Sequence, residues 1–133
     1  MNVMYQALSV EQVFYLHEKI IDTAKGLQGI RDYTLLHSAL ERCKATFAGE
    51  DLYPTLLDKA SALMHSLIMN HPFLDGNKRT GYEVTQWFLF TNGVEIHTTV
   101  KEVVRFCVAI DNEGLSLEEI RAWLKKHTKK IRS

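Results

Sequence analysis

Apolar side chains recur along this chain at intervals of three and four, the spacing that lines one face of an α-helix. Val10, Val13, Phe14, Leu16, His17, Ile20 and Ile21 form the first such stripe, with Gly26 as its stop. A second helix is expected to start near Asp32, with Leu35, Leu36, Ala39, Leu40 and Cys43 facing inward. The next residues, Thr46 to Pro54, lose the period and carry a glycine and an acidic pair, so they read as a loop or small hairpin. Pro54 suits a first helical turn. Leu56, Leu57, Ala60, Leu63, Met64, Leu67 and Ile68 then make a broad stripe that stops at His71-Pro72, because proline disfavours helical geometry in the residue before it.

After a polar loop the helical pattern resumes through Tyr82, Val84, Trp87, Phe88, Leu89 and Phe90, apolar on nearly every side, and ends at Asn92-Gly93. Such a helix is expected at the centre of a domain, with Trp87, Phe88 and Phe90 in the core. Two further helices are predicted at about 100–110 and 117–130. Ser9 with Gln12, Thr99 with Glu102 and Ser116 with Glu119 are spaced as capping boxes. No run of alternating strands, internal repeat or low-complexity segment is apparent, so the fold class is all-α, with about six helices and at most one small hairpin.

At 133 residues the chain is expected to be one domain, 1–133, and its 46% hydrophobic content supplies a core. Sixteen basic and sixteen acidic side chains balance overall. They are unevenly placed: residues 121–133 hold six basic and no acidic residues, so an acidic body precedes a basic tail. Lys125, Lys126, Lys129, Lys130 and Arg132 are read as complementing a C-terminal helix dipole rather than gripping RNA, and direct nucleic-acid binding is not expected. Cys43 and Cys107 make neither a disulfide framework nor a CxxC pair, which points to a reducing compartment. With no leader pattern and no run near the roughly 18 apolar residues a bilayer needs, a cytoplasmic location without membrane attachment is expected.

The residues from His71 to Arg79 differ in kind from their flanks, since six of the nine are polar, charged or glycine. Gly76, Asn77 and Lys78 fall where the following helix starts, and its amides, its dipole and the cations Lys78 and Arg79 together suit phosphate oxygens. Asp75 is placed to hold Mg²⁺, which takes carboxylate, water and phosphate oxygens. Histidine titrates nearest neutrality, so His71 is the candidate to take a proton from a hydroxyl. These residues together read as a phosphoryl or nucleotidyl transfer site. His17, His37, His65 and His97 lack paired-ligand spacing and are read as ordinary surface or core residues, Arg31 as a local partner of Asp32, and Glu50 and Asp51 as part of a solvated loop.

The run HPFLDGNKRTG, His71 to Gly81, closely resembles the signature loop of the Fic/Doc superfamily, and the lysine at position 78 resembles the death-on-curing (Doc) branch. The likeness extends through GIRD at Gly29 to Asp32, LLHSALER at Leu35 to Arg42, Tyr53-Pro54, and FLFTNG at Phe88 to Gly93, covering roughly residues 5–110. It implies a compact Fic-fold bundle, with the loop between two central helices and a target-docking flap near Phe47 to Tyr53. Lys78 stands where the classical Fic pattern has glycine, and Tyr82 where it has a second arginine. Both departures turn the expectation from AMP transfer towards transfer of the γ-phosphate of ATP to a Ser/Thr hydroxyl. The resemblance then implies His71 as general base, Asp75 as Mg²⁺ ligand, and Gly76, Asn77, Lys78 and Arg79 as nucleotide holders. It also implies a toxin acting on elongation factor Tu and restrained by an antitoxin supplied in trans. The inhibitory Fic pattern is absent, since Glu113 has Ala109 at the place where Ser or Thr is required. An adenylyltransferase and a catalytically silent binding module are the alternatives.

Overall fold

The computed structural model describes residues 4–132; Met1 to Val3, read above for a leader, and Ser133, at the end of the basic tail, lie outside the described residues. Six helices follow one another: α1 (Val10–Ala24), α2 (Tyr33–Arg42), α3 (Leu56–Asn70), α4 (Asn77–Thr91), α5 (Val100–Glu113) and α6 (Leu117–His127). Their starts follow from local chemistry. Ser9, Thr55 and Ser116 each complete a capping box with the third helical residue, while Asp32 and Thr99 accept from the backbone amides of Leu35 and Glu102. The box expected at Thr99 is therefore half made. Thr55 is an unforeseen cap, and it displaces Pro54 from the first turn to the residue before the cap.

The centre of the bundle is α3 rather than α4. Nine of its fifteen residues are buried against seven of fifteen for α4, and α3 packs on α2, α4, α5 and α6. Gly81 lets α3 and α4 close together, because a Cβ there would lie 2.7 Å from Cγ1 of Ile68. Phe88 is buried as expected, but Trp87 is only partly covered and Phe90 is 58% exposed, since that side of α4 is incompletely covered by its neighbours. Its near-uniform apolarity thus leaves a hydrophobic face in solvent.

Two short antiparallel ladders complete the fold. The hairpin of β1 (Thr46–Phe47) and β2 (Glu50–Asp51) turns through Ala48 and Gly49, both at positive φ. It is pinned to the core by the fully buried Lys59, whose Nζ lies 2.9 Å from Asp51 Oδ2, so Asp51 is not a solvated loop residue. The second ladder pairs β3 (Val94–Ile96) with β4 (Thr128–Lys130). It ends the last helix at His127, short of the expected 130, and sets Glu95 opposite Lys129. No helix is long and apolar enough to cross a membrane among the described residues.

Candidate active site

The loop joining α3 to α4 begins at His71, which caps α3 in the left-handed region at φ 48° and ψ 55°. Proline at 72 bars continuation of the helix, and Arg31 holds the bend by donating from Nε to the His71 carbonyl (2.6 Å) and from Nη2 to the Asn70 carbonyl (2.8 Å). Arg31 therefore serves the α3 C-terminus and not Asp32, which is occupied as the cap of α2. The same segment accepts and donates along its backbone: the amides of Arg31 and Asp32 donate to the Pro72 carbonyl, and the Leu74 amide donates to the Gly29 carbonyl.

Three further contacts shape the loop. The Asn77 side chain closes it on itself, accepting from the Phe73 amide at 2.9 Å and donating to the Phe73 carbonyl at 3.0 Å. What Asn77 leaves open is its backbone amide, since its side chain is committed to the bend. Buried His17 stacks on Phe73, with ring centroids 3.8 Å apart and 10° between planes, and its Nε2 donates to the Asp75 carbonyl at 2.9 Å. The Asp75 carboxylate accepts from the amides of Gly76 (2.8 Å) and Leu27 (3.2 Å). Gly26 makes that approach possible, for a Cβ there would sit 2.5 Å from Asp75 Oδ2.

The loop ends in an open helix start. Gly76, at φ 76°, precedes α4 without any side-chain cap, and the first turn of α4 holds Lys78 and Arg79 in place of an acid. A first-turn amide has no partner within its helix, so the amides of Asn77, Lys78 and Arg79 point outward beside two cations. Gly76 itself has no room for a side chain, because a Cβ would meet Cδ1 of Ile21 at 2.7 Å.

A residue from α5 joins them. Asp111 Oδ1 lies 2.9 Å from His71 Nε2, and Oδ2 lies 3.4 Å from Lys78 Nζ. The hydrogen bond from His71 first, and the nearby Lys78 second among the favourable causes, hold the Asp111 carboxyl below the ordinary carboxylate value. No ion pair engages Arg79 among the described residues. From Lys78 and Arg79 a cleft of about 570 Å³ runs between α4 and α5, walled by Tyr82, Ile96, Val103 and Cys107. Burial pushes both the Tyr82 phenol and the Cys107 thiol up to about 12, so neither ionises near neutrality.

All five loop residues selected from the sequence, Asp75 to Arg79, thus share one bend with His71, although they differ in what they leave free. Asp75 still presents lone pairs, and one carboxylate with retained waters and phosphate oxygens is a donor set that suits Mg²⁺. No cluster of three or more metal-ligating side chains exists among the described residues. Arg31, His17 and Asp111 are the site residues that the sequence reading passed over. His17 carried a signal, being the polar member of the buried stripe Val13, His17, Ile20 and Ile21.

Comparison with known proteins bears on this geometry. Residues 7–89 match the Fic/DOC family. Over 67 residues, half of the chain, the sequence is 51% identical to Toxin Doc of Mycolicibacterium smegmatis, and the match covers 52% of that protein. Over 89 residues, 67% of the chain, it is 29% identical to Protein kinase doc of Escherichia phage P1, covering 70% of that protein.

Proposed function

The chain belongs to the Fic/DOC family, on its Doc branch, and from that premise we propose that it is a toxin that transfers the γ-phosphate of ATP to a Ser/Thr hydroxyl of a protein target. The observation that carries this reading is the uncapped, cationic start of α4 set beside an imidazole. Amides at a helix N-terminus, with Lys78 and Arg79, match the charge of a triphosphate, and His71 supplies the group that accepts a proton. In the transfer, His71 takes the hydroxyl proton, the freed oxygen forms a bond to the γ-phosphorus, and the bond to the β,γ-bridging oxygen breaks, releasing ADP. Lys78, Arg79 and the first-turn amides hold the charge that develops on the phosphate oxygens; this is the main task in such chemistry. Asp75 would hold Mg²⁺, which when bound neutralises charge on the nucleotide.

The α4–α5 cleft supports the same reading. Its volume falls within the range of about 300–1,000 Å³ usual for small ligands, and its cationic mouth and apolar wall suit phosphate and base respectively. Buried Tyr82 leaves no cation where AMP-transferring members have their second arginine, which favours γ-phosphate transfer. The exposed Phe90, Val100 and Val104 on α4 and α5 support an antitoxin that brings an apolar helical face. Elongation factor Tu is the target that the family likeness offers. Incubation with ATP labelled at the α or the γ position tests the reaction. Label arriving on elongation factor only from the γ position, and lost with His71→Ala, is the expected result; label arriving only from the α position makes the protein an adenylyltransferase.

A further inference from the structure

Asp111 reaches the loop from the last turn of α5 and touches the two side chains that the transfer needs most. Its carboxylate spans His71 Nε2 at 2.9 Å and Lys78 Nζ at 3.4 Å. It is also the most covered of the three, with 16% of its side chain exposed against 45% for His71 and 46% for Lys78. We infer that Asp111 is an internal stand-in for phosphate: its carboxylate occupies the anion seat between His71 and Lys78, and nucleotide must displace it before the site can work. This inference rests on the triphosphate reading above and adds regulation to it.

A carboxylate and a phosphate both offer only acceptor oxygens, so they compete for the same N–H groups. While Nε2 donates to Asp111 it carries a proton and cannot accept another, so the resting contact withholds that nitrogen together with the cation. Asp75 and Asp111 also offset Lys78 and Arg79 in formal charge, which removes the local positive excess that a polyanion requires. Arg79 has no ion pair among the described residues and remains available for the first encounter with nucleotide. Asp111 lies in the last turn of α5, three residues before the left-handed Gly114 that ends the helix, and rotation of its side chain is the movement the displacement requires. The inhibitory pattern absent from the sequence has in this way a counterpart of different chemistry, on the helix that forms one wall of the cleft.

The test uses the full chain. MgATP affinity is measured by calorimetry for the wild type, Asp111→Asn and Asp111→Ala, with thermal melts to establish folding, and the His71 ring nitrogens are followed by NMR. Removing the carboxylate should tighten MgATP binding about tenfold, and the gain should shrink as salt is raised. In the wild type, MgATP should move the His71 ring signals as the 2.9 Å contact with Asp111 is lost, a readout that needs no variant to fold. Unchanged or weaker binding in both variants, or MgATP bound to the wild type with the His71 signals still, overturns the inference and leaves the proposed transfer standing. If wild type and variants alike bind no MgATP, the triphosphate reading itself fails and takes this one with it.

Discussion

Five of the six helices start closed and one starts open. At α1, α2, α3, α5 and α6 a Ser, Thr or Asp side chain accepts from a first-turn amide, and at α1, α3, α5 and α6 an acid in that turn also suits the dipole. At α4 both devices are withheld: Gly76 has no side chain to lend, and two cations stand where acids would stabilise. Each such choice sacrifices stability, about a few tenths of a kcal/mol for glycine in place of a side-chain cap and some tenths for each misplaced charge. A sequence that caps every other helix leaves the first-turn amides of this one open, as the proposed nucleotide site requires. The contrast teaches that both local devices of helix stability are set aside together at one start, the one assigned to the proposed nucleotide site, whereas α2 lacks the acid but keeps its cap.

Reversing a charge at the open start should give the largest effect. Arg79→Glu is expected to reduce nucleotide-dependent phosphate transfer by two orders of magnitude or more, on the order of what losing one transition-state cation costs. The same change should raise unfolding free energy by about 0.3–1 kcal/mol, as an acid now meets the dipole. Transfer assays and urea titration read the two arms, and a loss of both activity and stability would break the comparison. Next in size, Thr55→Ala at a closed start should cost about 1 kcal/mol and leave transfer at wild-type level in a folded sample.

The smallest effect concerns pH. His65 accepts at Nδ1 from Arg42 (2.9 Å), within a group that also joins Ser66 and Tyr53, and burial first, then the Arg42 charge, lowers its pKa. The unfolded chain therefore binds a proton more readily just below about pH 6.5, the ordinary value. This residue's contribution to stability should be intact above that pH and be lost as pH falls through its folded value. His65→Gln should flatten that part of the stability profile measured by urea titration between pH 5 and pH 8, and an unchanged slope would remove His65 as its source.

Much of this organisation was legible in the residues themselves. Helical periods and cap signals located all six helices, because both are local. The bend at His71-Pro72 and the open start at Gly76 were legible for the same reason. Non-local pairings were not. The strand Thr128–Lys130 is short and polar, and its partner lies over thirty residues earlier, so nothing in its pattern marks a ladder. Phe90 shows apolarity without a neighbour to cover it. Arg31, His17 and Asp111 gain their roles only when α1, α5 and the segment before α2 converge on the loop, from 39 to 58 positions away along the chain. Lys59 and Asp51 likewise meet through the flap's folding back on α3.

In the proposed reaction the bare first turn of α4 receives a triphosphate beside His71. Backbone NMR during a MgATP titration measures it directly, amide by amide. The amides of Asn77, Lys78 and Arg79 should shift furthest, together with the His71 ring, while the first-turn amides of α1, α3 and α6 stay still. Saturable shifts centred elsewhere, with those three amides unmoved, would contradict it.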